Sequence, residues 1–504
     1  MLVGALAAAS ALAIVQPFQA GPASYDAGSA VIHFQRLIAG QRLEAFISTT
    51  PKPLLTLVYG SLYGLVGDWR AISWATIGAY SVAISLVTRL AWRVAGPVAG
   101  VVAAVALIAS PSLVGEVLIA SAVPWAMLGW SVAGLAVTGA RPRYAVAGVA
   151  LAVATLARLE TLVLVGSALV ILILVAASGR RDHRRRVPSG AWWVLLGFMA
   201  LPVMLLHDWL LTGDPLFWAT VSTRYSEGAG ATGLLDPIEL ARSLTHRYVL
   251  LAPFSLLAVV GGIWLLRTRR WALALGVAAL GPGLVAFLLV LAARGTFVAA
   301  RYAVPADLAV LFSASLGAAA AAAGCWTWLR HRAAVARLTG PAGRAVALGA
   351  IGVATAAAGW PPALVAAPTQ AAATAALGVA RDEAAVVPVL EAALQSVPGA
   401  RDLAAAPGQR PTTAIIPVAM RTLLAVDLRV PLTRIGSSPV AQLEAAAGGL
   451  ARTDFVVHDR ALDGDDPFYR QLEVAATSTV GDQTLTPLLV DPLHGVWVYA
   501  VSGP

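Results

Sequence analysis

The sequence predicts a polytopic α-helical membrane protein of about 11 transmembrane helices. It adds a surface-lying or re-entrant helix in the first outer loop and a small α/β domain at the C-terminal end. Three observations carry this prediction. Of 504 residues, 59% are apolar and only 12% charged, where a soluble domain has about 45–50% and about 25%. Apolar stretches approaching the ~20 residues that cross a bilayer recur as far as residue 362 and then stop. Beyond that point acidic residues return and apolar runs shorten to strand length. The expected division is therefore a transmembrane domain at 1–362, with outer loops 17–70 and 212–248, and an extracytoplasmic domain at 363–504.

In order, the candidate spans are 2–16, 71–88, 95–109, 117–138, 141–157, 160–177, 191–211, 249–266, 271–292, 302–325 and 345–362. The first is short and lacks a basic flank; it reads as an anchor rather than a cleaved signal peptide. Orientation follows from arginine, because short cytoplasmic loops are enriched in Lys and Arg. The clusters are Arg180, Arg181, Arg184, Arg185 and Arg186; Arg267, Arg269 and Arg270; and Arg330, Arg332, Arg337 and Arg344. Arg141 with Arg143 and Arg89 with Arg93 join the same side on two conditions. The run 53–66 must not cross, and its 14 residues reach only about 21 Å as a helix. The run 143–177 must be two helices broken near Arg158-Leu159-Glu160, since one helix would be about 52 Å long with a charged pair at its middle. The N-terminus is then cytoplasmic and everything after 362 lies outside the plasma membrane.

The formal charge of +9 and pI near 10.2 would suggest a nucleic-acid partner in a polar chain. In this apolar chain they are an orientation signal, and no nucleic acid is expected. Lys52 is the only lysine. The only cysteine, Cys325, excludes an intramolecular disulfide and a Cys-based metal site. No cofactor is expected, and nothing in the sequence argues for an essential metal.

The search for chemistry narrows to the outer segments. Asp26 follows Tyr25 just beyond the first span and precedes an amphipathic stretch, Ala27 to Leu37, which places its carboxylate at the membrane–water boundary. It is also placed to cap that helix, and the two roles are compatible. Lys52 sits between Pro51 and Pro53, which restrict the backbone at the mouth of the 53–66 run. An ammonium there suits a phosphate as a point charge, or snorkels as an interfacial anchor. Arg158 and Glu160 occupy an outer hinge, where a structural ion pair or helix-end cap accounts for them as well as substrate contact does; Glu116 lies in another outer turn, where solvation alone accounts for it. Arg224-Tyr225 lies in the third outer segment and Arg301-Tyr302 opens a late span. An arginine at a span's outer end is costly in lipid, so each faces a polar cavity, a headgroup or the tail.

These features together resemble the GT-C superfamily of membrane glycosyltransferases, which includes protein O-mannosyltransferases, lipid A aminoarabinose transferases and actinobacterial mannosyl- and arabinosyltransferases. The resemblance rests on Tyr25-Asp26, on Gln35-Arg36-Leu37-Ile38-Ala39-Gly40 closing the surface helix, and on Pro51-Lys52-Pro53-Leu54-Leu55. It rests further on Gly64 to Trp69 before the next span, on Arg158-Leu159-Glu160 where many members read Arg-Pro-Glu, and on Arg301-Tyr302. It covers residues 1–362. This chain departs from many members in having one proline after Lys52, leucine at 159 and a single clear acidic residue in the first loop.

The resemblance implies transfer of a sugar from a polyprenyl-phosphate sugar to a glycan, lipid or protein acceptor on the outer face. Asp26 would be the general base. Lys52 with Arg158, Arg224 and Arg301 would hold the donor phosphate, and Tyr25, His33, Glu160, Tyr225 and Tyr302 would contact substrate. The 53–66 segment would help to form a groove for the prenyl tail, with membrane lipid as the surrounding partner. A lipid-linked sugar flippase or other transporter is the competing class, although its polar residues belong at mid-membrane. A non-catalytic membrane scaffold is the third.

In the tail, helix is expected from Asp382 to Val397 and from Pro439 to Leu450. Strands are expected at Thr413–Pro417, Pro431–Ile435, Asp454–His458 and Val496–Ala500. His458-Asp459-Arg460 and Asp463-Gly464-Asp465-Asp466 invite a metal reading, but the latter lacks the later ligands of a calcium loop and reads as a solvated turn. The expected role of the tail is to recognise acceptor or cover the active site.

Overall fold

A computed structural model describes residues 25–43, 51–179, 187–218, 237–250, 252–294, 298 and 300–331 of the apolar part. In the tail it describes 385–393, 414–416, 418–428, 435–437, 455–459, 477–480, 483–491 and 496–502. The expected spans 2–16 and 345–362 and the helix at Pro439–Leu450 lie outside the described residues, as do Arg224, Tyr225 and the Asp463–Asp466 turn.

The surface helix of the first loop is α1, Tyr25–Ala39, ended by Gly40 at φ +63. The apolar run 53–66 forms α2, Pro53–Val66, with proline in its first turn and Gly67 in the left-handed region closing its end. Then come α3, Trp69–Ala95; α4, Pro97–Ile108; α5, Pro111–Leu118; α6, Val123–Val137; α7, Tyr144–Ala157; and α8, Thr161–Gly179. A 3-10 segment, Ser189–Met199, runs into α9, Ala200–Thr212. After it follow α10, Pro237–Leu250, and α11, Ala252–Arg267. α12, Trp271–Ala278, continues through a π turn around Pro282 into α13, Leu284–Ala293. α14 is Val304–His331.

Among the described residues four helices are long and apolar enough to cross a membrane: Trp69–Ala95, Gly190–Thr212, Trp271–Ala293 and Val304–Gly324. A broken pair, Pro97–Ile108 with Ser112–Leu118, bent by 54°, brings that number to five at most. Within other expected spans the apolar helical stretches are shorter: Val123–Val137, Tyr144–Ala157, Thr161–Ala177 and Phe254–Arg267. The break at 158–160 is present: α7 stops at Ala157 and Arg158 turns to φ −144, ψ 119 before α8 begins.

The expected span 117–138 is corrected. Ala120 takes a positive φ of 48 and splits it, so α5 ends at Leu118 and α6 restarts with proline in its first turn. The physical reason is proline at 111 and 124: each lacks an N–H for an interior hydrogen bond and is comfortable only where a helix starts.

The helices bury a core of alanine, leucine and valine against one another while many large apolar side chains stay exposed, among them Val149, Leu174, Leu206, Leu256, Val259 and Phe287. Such a belt would drive aggregation in water and is satisfied by hydrocarbon. The chain is a membrane protein. Where α11 and α14 cross, a Cβ on Gly261 would collide with the Ser313 carbonyl and one on Gly317 with that of Leu257. Glycines there allow backbone-to-backbone packing, a device of helix pairs in lipid.

The tail adds a helix at 385–393, α15, then β1, Ala414–Ile416, and α16, Val418–Asp427. The strands β2, Ile435–Ser437, β3, Phe455–Asp459, β4, Ser478–Val480, β5, Gln483–Asp491, and β6, Val496–Ser502, follow. They form one six-stranded sheet of order β2-β1-β3-β6-β5-β4. β1 runs parallel to β2 and β3, and β6 is antiparallel to β3 and β5. Of the expected strand at 431–435 only Ile435 lies among the described residues, and it opens β2; β4, β5 and α16 are additions to the expected elements. His458 is a core residue, fully buried and stacked on Trp497 with ring centroids 5.1 Å apart.

Candidate active site

Two helices of the first loop build the centre of the site. α1 begins at Tyr25, which puts Asp26 within its first turn rather than at the cap position. A carboxylate there faces the positive end of the helix dipole. Lys52 is the N-cap of α2, where Pro53 supplies the first helical residue and the Lys52 carbonyl accepts from Thr56 N at 2.9 Å. The two side chains, 26 residues apart in sequence, meet: Lys52 Nζ donates to Asp26 Oδ1 at 2.7 Å. Only 19% of the lysine and 13% of the aspartate side chain is exposed.

α2 is held in place by its Tyr59. The phenol donates to the carbonyl of Ala120 at 3.0 Å, bonds to Thr76 Oγ1 at 2.8 Å and accepts from Trp125 Nε1 at 3.0 Å. The α5–α6 break that splits the expected span thus supplies carbonyls that anchor α2.

A second ion pair forms at the α7–α8 break. Arg158 donates from Nη2 to Glu160 Oε1 at 2.6 Å and from Nε to Oε2 at 3.3 Å. Its guanidinium lies 6.0 Å from the Tyr302 ring centroid, a cation–π distance. Burial opposes charge on Arg158, but Glu160 outweighs it and holds the guanidinium above its ordinary range, with Glu116 and Tyr302 adding to the effect. For Glu160 burial pushes upward and Arg158 wins, so its carboxyl sits below the usual carboxylate range, with Lys52 contributing. Lys52, Glu160, Arg158, Glu116 and Tyr302 therefore share one electrostatic neighbourhood.

The sign of this shift predicts acid lability. Stability from the pair is present above the unfolded carboxyl value of about 4.3 and is lost as pH falls through the lower folded one. Glu160→Gln, which leaves Arg158 buried without its counter-charge, is expected to cost about 3–5 kcal/mol. A double Arg158→Met, Glu160→Met variant should lose less than Glu160→Gln, and thermal unfolding of the purified proteins measures both.

Behind the Asp26–Lys52 pair lies a polar cluster in otherwise apolar surroundings. His207 of α9 bonds through Nε2 with Thr56 Oγ1 of α2 at 3.2 Å and through Nδ1 with Asp208 Oδ1 at 3.4 Å. Asp208 Oδ2 accepts from the Trp218 backbone N–H at 3.2 Å. The ring of His33, two turns beyond Asp26 on α1, packs edge-on against His207 with centroids 5.4 Å apart. Burial, then His207, then Lys52 push the His33 imidazole down from its ordinary 6.5 to about 3. Between those values the unfolded chain takes up a proton that the folded one refuses, so stability rises with pH by about 1.4 kcal/mol per unit from this group. His33→Gln should flatten the thermal-stability profile between pH 4.5 and 6.5, a window above that of Glu160.

No family model and no curated protein matches the sequence. Solved structures do. The chain is similar to ArnT from Cupriavidus metallidurans in the apo state, at 16% identity over 98% of this chain and 97% of that one, TM-score 0.53. It is similar to the same protein bound to undecaprenyl phosphate, at 14% identity, with the same coverage and score. It is similar to the Archaeoglobus fulgidus oligosaccharyltransferase, at 13% identity over 91% of this chain and 68% of that one, TM-score 0.51.

The chain has the GT-C fold.

In this GT-C fold, six of the residues singled out from the sequence gather in two groups. Asp26, Lys52 and His33 gather on α1 and α2; Arg158, Glu160 and Tyr302 gather at the α7–α8 break. Arg301 lies in a 3-10 turn, Ala300–Ala303, that delivers Tyr302; Tyr25 opens α1; Arg224 and Tyr225 lie outside the described residues. The expectation that Glu116 is solvated is corrected: it is 6% exposed. It follows the α5 proline into the interior and acts on Arg158. Sequence reasoning passed over Thr56, His207, Asp208 and Asp307, the last of which accepts from Ser112 Oγ at 2.7 Å. The last three carried a signal, since ionisable residues inside the apolar runs 191–211 and 302–325 stand out by cost alone. Among the described residues no group of three or more His, Cys, Asp or Glu side chains is arranged to hold a metal ion.

Proposed function

We propose that this protein is an integral membrane glycosyltransferase, taking a hexosyl or pentosyl group from a polyprenyl-phosphate-linked donor and adding it to a hydroxyl of a glycan, lipid or protein acceptor. The observation that carries the reading is the 2.7 Å Asp26–Lys52 pair at the mouth of the re-entrant helix. A base and a phosphate-binding cation stand side by side where a lipid headgroup arrives. Similarity supports the donor class: the related ArnT structure holds undecaprenyl phosphate, and AglB from Archaeoglobus fulgidus was solved with an inhibitory peptide and a dolichol-phosphate.

In this mechanism the donor phosphate competes with Asp26 for the Lys52 ammonium. Once the phosphate holds Lys52, the carboxylate regains lone pairs for the acceptor hydroxyl. Asp26 takes the hydroxyl proton as its oxygen bonds to the anomeric carbon. The bond from that carbon to the phosphate oxygen breaks, with inversion, and polyprenyl phosphate leaves with its charge held by Lys52 and by Arg224 and Arg301. Arg158, already engaged by Glu160, sets the local field.

The reaction is assigned to the extracytoplasmic face of the plasma membrane. Arg89, Arg93, Arg141, Arg143, Arg267, Arg269 and Arg270 are exposed, and Arg93 lies against the Gly139–Arg141 turn. This supports a shared cytoplasmic face, at the opposite end of α3 and α7 from the site.

The test is transfer by purified protein from labelled polyprenyl-phosphate mannose and arabinose, scored as labelled acceptor with release of polyprenyl phosphate. Donor movement across vesicles with no transfer would overturn the reading in favour of a transporter.

A further inference from the structure

One carboxylate joins the tail to α2, which carries Lys52 at its N-cap, and to α3, which follows it. Asp427, the last residue of α16, accepts from Tyr63 Oη at 3.0 Å and from Trp69 Nε1 at 3.0 Å through Oδ1 and 3.1 Å through Oδ2. Tyr63 is in the last turn of α2 and Trp69 opens α3; between them Gly67 takes φ 69 and its N–H bonds back to the Tyr63 carbonyl. The two rings rest on each other with centroids 4.4 Å apart. Asp427 therefore grips both sides of the only turn joining α2 to α3.

The same tail helix lies along α1. At Gly28, two residues after Asp26, Thr422 fills the space that a Cβ would need, and Leu424 and Ala425 join the core that contains Ala27, Ala30 and Val31. α16 thus touches the carrier of Asp26 along its length and the carrier of Lys52 at its far end. A rigid helix transmits a displacement at Tyr63 to Lys52, about 16 Å away along α2.

We propose that Asp427 is a positioning residue: through Tyr63 and Trp69 it clamps α2 against α1 from the outer domain, and so sets the separation between the Asp26 carboxylate and the Lys52 ammonium. The outer domain is then part of the transferase site rather than an appended acceptor module. The functional half of this inference rests on the reading above; the mechanical half does not.

The experiment compares full-length wild type with Asp427→Ala, Asp427→Glu and a Tyr63→Phe, Trp69→Phe double variant. Amide hydrogen exchange over 25–39 and 53–66 and sugar transfer are both followed. The double variant keeps α16 intact should Asp427→Ala fold poorly. Asp427→Ala and the double variant are expected to exchange faster in both segments and to lose 10–100-fold in turnover, since about 1 Å of misplacement costs that much. Asp427→Glu should restore part of each. In a Lys52→Ala background, loss of Asp427 should cost residual turnover nothing further.

Wild-type exchange in folded Asp427→Ala would overturn the clamp whatever the reaction is. Faster exchange with wild-type turnover would overturn positioning, as would a full additional loss in the Lys52→Ala background. Faster exchange in a protein whose wild type transfers no sugar would uphold the clamp and sink the glycosyltransferase reading instead.

Discussion

Asp26→Asn is expected to reduce sugar transfer by about 10²–10⁴-fold while leaving donor binding nearly intact. The amide keeps the size of the carboxylate and its carbonyl still accepts from Lys52, so the 2.7 Å contact survives in weaker form. What it cannot do is take a proton from an acceptor hydroxyl. Loss of the negative charge also removes the competitor for Lys52, so the donor's apparent Kd should stay equal or fall. A drop in kcat with an unchanged or lower donor KM is thus the signature of the base. Folded Asp26→Asn turning over as fast as wild type would refute the assignment.

Lys52→Ala carries the second large effect and has the opposite signature. It removes the ammonium that anchors the phosphate in the ground state and holds its charge on departure, so donor binding and kcat should both fall, with turnover reduced about 10²–10³-fold. Lys52→Arg should recover part of the binding but less of the rate, because a planar guanidinium cannot occupy the place of a point charge at a constrained cap between two prolines. Binding of polyprenyl phosphate without any sugar, measured directly, separates the two contributions. Undiminished phosphate binding by folded Lys52→Ala would place the anchor elsewhere, Arg224 and Arg301 being the next to test.

The short helix at 53–66 could be read from its length, and the break at Arg158-Leu159-Glu160 from the cost of a charged pair in lipid. Asp26 and Lys52 drew notice because an acid just past the first apolar run and a single lysine stand out against an apolar, arginine-rich background; the structure adds that they pair. Glu116 was misread as solvated because the split of the span at Ala120, which turns α5 inward, depends on where Tyr59 and Trp125 pack. Asp427 carried no local signal. A lone acidic residue at the end of an amphipathic tail helix is ordinary, and its partners lie more than 350 residues away in the chain.

Composition and periodicity thus settle the solvent, the helical class, the positions of most breaks and the short inventory of polar groups. These are local properties, enforced residue by residue by the cost of polar groups in hydrocarbon. Which of those groups stand within hydrogen-bond reach of one another is a non-local property. It depends on helix packing, on glycines that let backbones touch, and on a tail helix folding back onto the first loop. The pairing of Asp26 with Lys52 and of Arg158 with Glu160, and the grip of Asp427 on Tyr63 and Trp69, exist only once the chain has closed.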